Sequence, residues 1–154
     1  MHRRHFLIAS SAGIAFPVLA HHGWSSFDEG KPVYLEGKVR SVKWQNPHAE
    51  INVIVAADAK LPADLSKRKV PAQKAPVDAA KILSSTVLPT RRGEWNLELS
   101  PMTRIAAWKV PEPKPGDTIA AVGYTFKDEK GPQLVRVEFL FIGDAVFGLR
   151  SMPA

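Results

Sequence analysis

The chemistry open to this chain of 154 residues starts from its histidines, because it has five of them and no cysteine. Any metal it holds must sit on nitrogen and oxygen. Disulfides, thiolate nucleophiles and cysteine-ligated zinc or iron–sulfur centres are excluded. His2 and His5 fall in a segment that reads as an export signal, which leaves His21, His22 and His48. Cleavage after Ala20 would make His21 the amino-terminal residue. Its free amine and its own imidazole then form a chelate, and a second imidazole from His22 or His48 completes a three-nitrogen set. Such a set suits Cu(II), which prefers tetragonal nitrogen ligands and heads the divalent affinity order. In a second arrangement, His22 chelates together with the terminal amine and the intervening amide. His48 follows Asn46-Pro47, a stiff turn well suited to fixing an imidazole.

No other reactive constellation stands out. Glu36, Glu50, Glu94, Glu98 and Glu138 fall on strand-like runs and are expected mostly on solvent faces. No serine lies in a Gly-x-Ser-x-Gly setting, and no phosphate-binding or dinucleotide glycine pattern occurs. Trp24, Trp44, Trp95 and Trp108 are expected to pack in the core and on its rim. The chain therefore reads as a binding module rather than an enzyme.

Residues 1–20 set the compartment. Arg3 and Arg4 precede an apolar run from Phe6 to Leu19, and Val18 and Ala20 place small residues before the cut. The run is shorter than the roughly 20 residues of a membrane span and contains Gly13 and Pro17, so no anchor is expected after cleavage. Arg3-Arg4-His5-Phe6-Leu7 also matches part of a twin-arginine signal, without the usual Ser or Thr before it or the Lys after it. Either route leads to the periplasm or the exterior of a bacterium, with 21–154 as a single domain.

Strands must position His48. Thirteen prolines and ten glycines punctuate the chain, which favours short strands and turns over a helical bundle. Val33 to Trp44 alternates as a strand, then its apolar face slips by one residue at Val42, which signals a bulge or bend, with Gly37 as one candidate. His48 to Ala56, Glu94 to Ser100, Thr118 to Phe126 and Gln133 to Ile142 supply four more strands. Thr103 to Lys109 has helical spacing. Five strands and one short helix predict a mainly β fold, a small antiparallel OB-like barrel.

Residues 58–92 interrupt that pattern with four prolines and a net charge of +5. The whole chain carries +6, and removing the signal leaves +4, so the remainder is close to neutral. Lys67, Arg68, Lys69, Arg91 and Arg92 are the candidate contacts for an anionic surface or an acidic protein partner. The simpler expectation is a solvated insertion. Export argues against a nucleic-acid partner.

Several strings taken together resemble a known family. They are His21-His-Gly-Trp-Ser-Ser-Phe-Asp28, Leu35-Glu-Gly-Lys-Val39, Trp44-Gln-Asn-Pro-His48, Trp95-Asn-Leu-Glu-Leu99, Lys114-Pro-Gly-Asp-Thr118 and Gly123-Tyr124. Their succession is similar to the DUF6152 family of small exported bacterial proteins of unknown function. The resemblance implies a barrel and no activity. It covers most of 21–126 apart from the insertion, where the family has a short turn.

Overall fold

The computed structural model of the protein describes residues 23–154. The expected signal, His21 and His22 lie outside the described residues. Six strands form one sheet: β1 (Val33–Lys43), β2 (Glu50–Val55), β3 (Gly93–Glu98), β4 (Thr118–Tyr124), β5 (Leu134–Ile142) and β6 (Ala145–Gly148). The sheet order is β3-β2-β1-β4-β5-β6, and β3 also pairs with β5. That last pairing closes the first five strands into a barrel, which agrees with the OB-like expectation. It runs parallel, with Leu97 opposite Val135, whereas the other strand pairings are antiparallel. β6 is an addition to the expected five; Gly143, at a φ of 56°, turns β5 back on itself. Two α-helices occur among the described residues, α1 (Ala79–Ser85) in the insertion and α2 (Met102–Ala107) between β3 and β4. None among the described residues is long and apolar enough to cross a membrane.

The slip expected in β1 is a bulge. Val39 faces Val53 and Ser41 faces Asn52, so Arg40 is the extra residue. Gly37 is not the bend but a point of close approach between strands, where a Cβ would meet the carbonyl of Ile54 on β2. A second bulge lies in β5, where Val122 faces Phe139 and Gly123 faces Val137, leaving Glu138 as the extra residue. An added residue reverses the alternation of a strand. Val135 and Val137 accordingly belong to the barrel interior, whereas Phe139 and Phe141 face outward.

That reversal gives the molecule two cores. Trp95, Leu35, Ile51, Val53 and Leu97 fill the barrel, joined by Ile105 of α2. Outside the barrel, Tyr34, Val122, Phe139 and Phe141 pack against Leu65 and Leu83 of the insertion. Residues 58–92 are thus a folded layer on the barrel, with solvated lysines on its outer side. Asp78 caps α1 by accepting from the Lys81 N–H at 3.0 Å. At the far end, Glu129 accepts from the Thr90 hydroxyl at 2.7 Å and from the Thr90 N–H at 3.0 Å. Burial pushes the Glu129 carboxyl up, but these hydrogen bonds to its charged form outweigh burial and hold it below its ordinary range.

Two outcomes follow from this packing. Glu129→Gln should lose about 1.5–3 kcal/mol at pH 7, the range of hydrogen bonds to a charged acceptor. A carboxyl with a lowered folded pKa stabilises above its unfolded pKa, and that contribution disappears as pH falls through the folded value. The gap between wild type and variant in urea denaturation should therefore close in acid. Gly123→Ala drives a methyl group into the Arg136 carbonyl and the Val135 side chain. It should lower stability by about 3 kcal/mol, the upper range for overpacking, read as a fall in the denaturation midpoint.

Candidate functional site

The turn carrying His48 is built from its flanks. After a cis Asn46–Pro47 peptide, the chain rejoins the sheet one residue past His48, where Ala49 donates to the Ser100 carbonyl at 3.2 Å and accepts from Leu99 at 2.8 Å. Asn46 reaches across to α2, its Oδ1 accepting the Met102 N–H at 3.2 Å. This satisfies one of the amide donors that a helix N-terminus leaves open. His48 is half-buried and precedes β2 rather than lying on it.

His48 and Gly23 line one cavity of about 340 Å³. Trp24, Ser100, Arg104 and Arg136 are also in its wall. Gly23 is covalently next to His22, and consecutive Cα atoms are about 3.8 Å apart. The chain leaving the histidine pair thus enters the described structure at the His48 cavity. Among the described residues, no three His, Asp or Glu side chains gather as a metal-binding group.

The arm from Gly23 to Asp28 is held on the barrel by rings and guanidinium groups. Trp24 has the Arg136 guanidinium 5.0 Å from its ring centroid and that of Arg150 at 4.0 Å. Phe27 lies 4.4 Å from Arg136 and stacks on Phe126 with centroids 4.8 Å apart. The Asp28 N–H donates to the Thr125 carbonyl at 2.9 Å. Both arginines are themselves fixed. Arg136 donates Nε to Glu98 at 2.8 Å. Arg150 donates to Glu138 at 2.7 Å and to Glu29 at 2.8 Å.

Glu138 is the bulge residue of β5, and it is fully buried. The solvent-facing position expected for it does not hold, because the bulge directs it beneath the arm. Burial pushes its carboxyl up, partly offset by the Arg150 guanidinium. Burial, followed by the Glu138 charge, pushes the Tyr124 phenol up to about 12. Glu98 sits opposite Glu50 in the β2–β3 register, yet the two separate, Glu98 taking Arg136 and Glu50 taking Lys43 at 3.1 Å. Neither arginine, nor the role of Glu138, was apparent from spacing. The sole signal was an acid at a position in β5 whose neighbours are all apolar.

The five basic residues of the insertion are divided. Lys67 and Lys69 are exposed. Arg68 between them pairs with Asp64 and lies 5.1 Å from the Phe141 ring. Arg91 donates to the Gly131 and Glu129 carbonyls at 3.0 and 2.7 Å, and Arg92 donates to the Pro89 carbonyl.

The model of a family described as a family of unknown function, DUF6152, matches residues 8–63. The match spans the histidine pair, the arm, β1, the His48 turn and β2, and supports over that stretch the resemblance seen in the motifs. Among curated proteins and solved structures, none matches the chain.

Arg150→Met leaves a buried carboxylate uncompensated and should cost about 3–5 kcal/mol at neutral pH. Glu138 has a raised folded pKa, so its penalty is absent where it is protonated and grows as pH rises through that value. Chemical denaturation should show the Arg150→Met deficit shrinking in acid. Adding Glu138→Gln should recover part of it at pH 7.

Proposed function

We propose that this protein is an exported binding module that holds copper through His21 and His48, with His22 as the substitute ligand. The observation that carries the reading is the cavity shared by Gly23 and His48. It brings the chain that follows the histidine pair to the one histidine of the barrel. The reading requires export, since only cleavage after Ala20 creates the free amine that the His21 chelate needs. The residues present fit the metal: imidazole and amine nitrogens, without thiolate, are the donors Cu(II) favours. Of the two guanidinium groups in the cavity wall, Arg136 is paired with Glu98, which tempers its repulsion toward a cation, and Arg104 donates to the Leu149 carbonyl.

The basic insertion supports the alternative, docking to an anionic surface or acidic partner, less well. Arg91 and Arg92 place their donors on backbone carbonyls, and Arg68 is paired, which leaves Lys67 and Lys69 as the exposed members of the set.

Exported protein whose N-terminus has been sequenced should bind close to one equivalent of Cu(II) by titration calorimetry. His48→Ala should weaken binding by at least the roughly tenfold to hundredfold that loss of a ligand's hydrogen-bonding partner costs. Affinity should fall below about pH 6 as imidazole protonates. Undiminished binding after acetylation of the terminal amine would refute the chelate.

A further inference from the structure

We infer that the cavity beside His48 binds a small carboxylate with an apolar body, with the Arg104 guanidinium as its counter-ion. The inference does not rest on the copper reading and uses other groups. It starts from a charge that the fold leaves unmatched. Two arginines line the cavity, and no Asp or Glu lies in its described wall. Arg136 is matched by Glu98, in a pair largely shielded from water. Arg104 has no carboxylate partner among the described residues, whose ion pairs all involve other cations. An excess positive charge in a half-buried wall acts through a lower dielectric than bulk water and favours an anion there.

Arg104 is aimed rather than loose. It lies on α2, whose Ile105 is anchored in the barrel core. Its Nη1 donates to the Leu149 carbonyl at 2.9 Å, and Leu149 is itself in the cavity wall. That bond uses one of the five N–H donors of a guanidinium. A guanidinium fixed at one nitrogen presents its remaining edge at a set angle, which suits the two oxygens of a carboxylate. The Ser100 hydroxyl proton is already committed, donated to the same Leu149 carbonyl at 2.8 Å. A phosphate, with more charge and more oxygens to satisfy, would meet a single unmatched arginine.

The rest of the wall is mostly apolar. Leu99, Val137 and Leu149 are buried, and the half-buried Trp24 indole is held by Arg136 and Arg150 at 5.0 and 4.0 Å from its ring. A volume of about 340 Å³ lies at the small end of ligand cavities, which fits a single ring or a short branched chain. The wall at Leu149 is braced from behind by the insertion. Ser151 donates its N–H to Gln73 at 3.0 Å and its hydroxyl accepts from the Ala75 N–H at 2.8 Å, while its carbonyl accepts from Trp108 at 2.8 Å. The insertion thereby supports the cavity without lining it.

The test titrates metal-free exported protein, in excess chelator, with benzoate as the probe, followed by calorimetry and NMR. Benzoate should bind one-to-one, with the largest shifts at the Trp24 indole and the Val137 and Leu149 methyl groups. Benzamide, of the same shape without the charge, should bind at least about tenfold more weakly, the scale of one charge-assisted hydrogen bond. Arg104→Met should lose a similar factor, and Arg104→Lys, which keeps the charge but not the fork, should fall between. Inorganic phosphate at equal concentration should leave benzoate bound. Equal affinity for benzoate and benzamide, shifts confined to other residues, or no saturation below about 10 mM would overturn the inference. Displacement by phosphate would overturn the assignment to a carboxylate. The benzoate–benzamide comparison uses wild type, so it decides the question even if Arg104→Met does not fold. The chelator keeps the two readings apart: failure to bind benzoate leaves the copper titration standing, and failure to bind copper leaves this site standing.

Discussion

The arrangement of this molecule depends on one extra residue in β5. Up to Val137 the strand sends its apolar side chains into the barrel; beyond Glu138 it sends Phe139 and Phe141 outward. Without that reversal β5 could close the barrel against β3 or support the insertion, but not both. The residue that makes the switch is also a buried carboxylate, and it needs a cation. Arg150 supplies one, and in doing so presents its guanidinium face to Trp24. Barrel closure, attachment of the insertion and docking of the N-terminal arm thus converge on a single backbone irregularity. Bulges recur beside functional sites because they redirect a side chain in this way.

Much of the barrel could be read from the chain because its strands are half-buried, and half-burial writes alternation into sequence. Glu94 to Ser100 and Val33 to Trp44 are clear cases, and the one-residue slip at Val42 marked the Arg40 bulge. The β5 bulge left no such mark. Residues 135–141 are buried on both faces, and Val135, Val137, Phe139 and Phe141 keep one alternation in the sequence, so the reversal at Glu138 does not show. The sixth strand was hidden for a related reason: Ala145–Gly148 is too short for a period to show. The insertion looked solvated because its apolar residues are spaced irregularly among prolines and lysines, yet Leu65 and Leu83 are nearly inaccessible.

The candidate site divides along the same line. His48 could be picked out because an imidazole after Asn-Pro is a local feature. The contacts beside it could not, because Trp24 meets Arg136 and Arg150 only through the fold, each more than 100 residues away in sequence. Cation–π contacts and bulge-directed carboxylates have no sequence period. They emerge only when strands that are distant in sequence are placed side by side.

The way the arm is attached sets how it responds to its surroundings. A segment held by exposed opposite charges loosens as ionic strength rises, since screening at physiological salt acts over about 8 Å. This arm is held by contacts between rings and guanidinium groups at 4.0 to 5.0 Å, over ion pairs that are largely shielded from water. Counterions have little access to such contacts. The barrel thus keeps its N-terminal arm seated at salt concentrations that would release a tether built from surface charges.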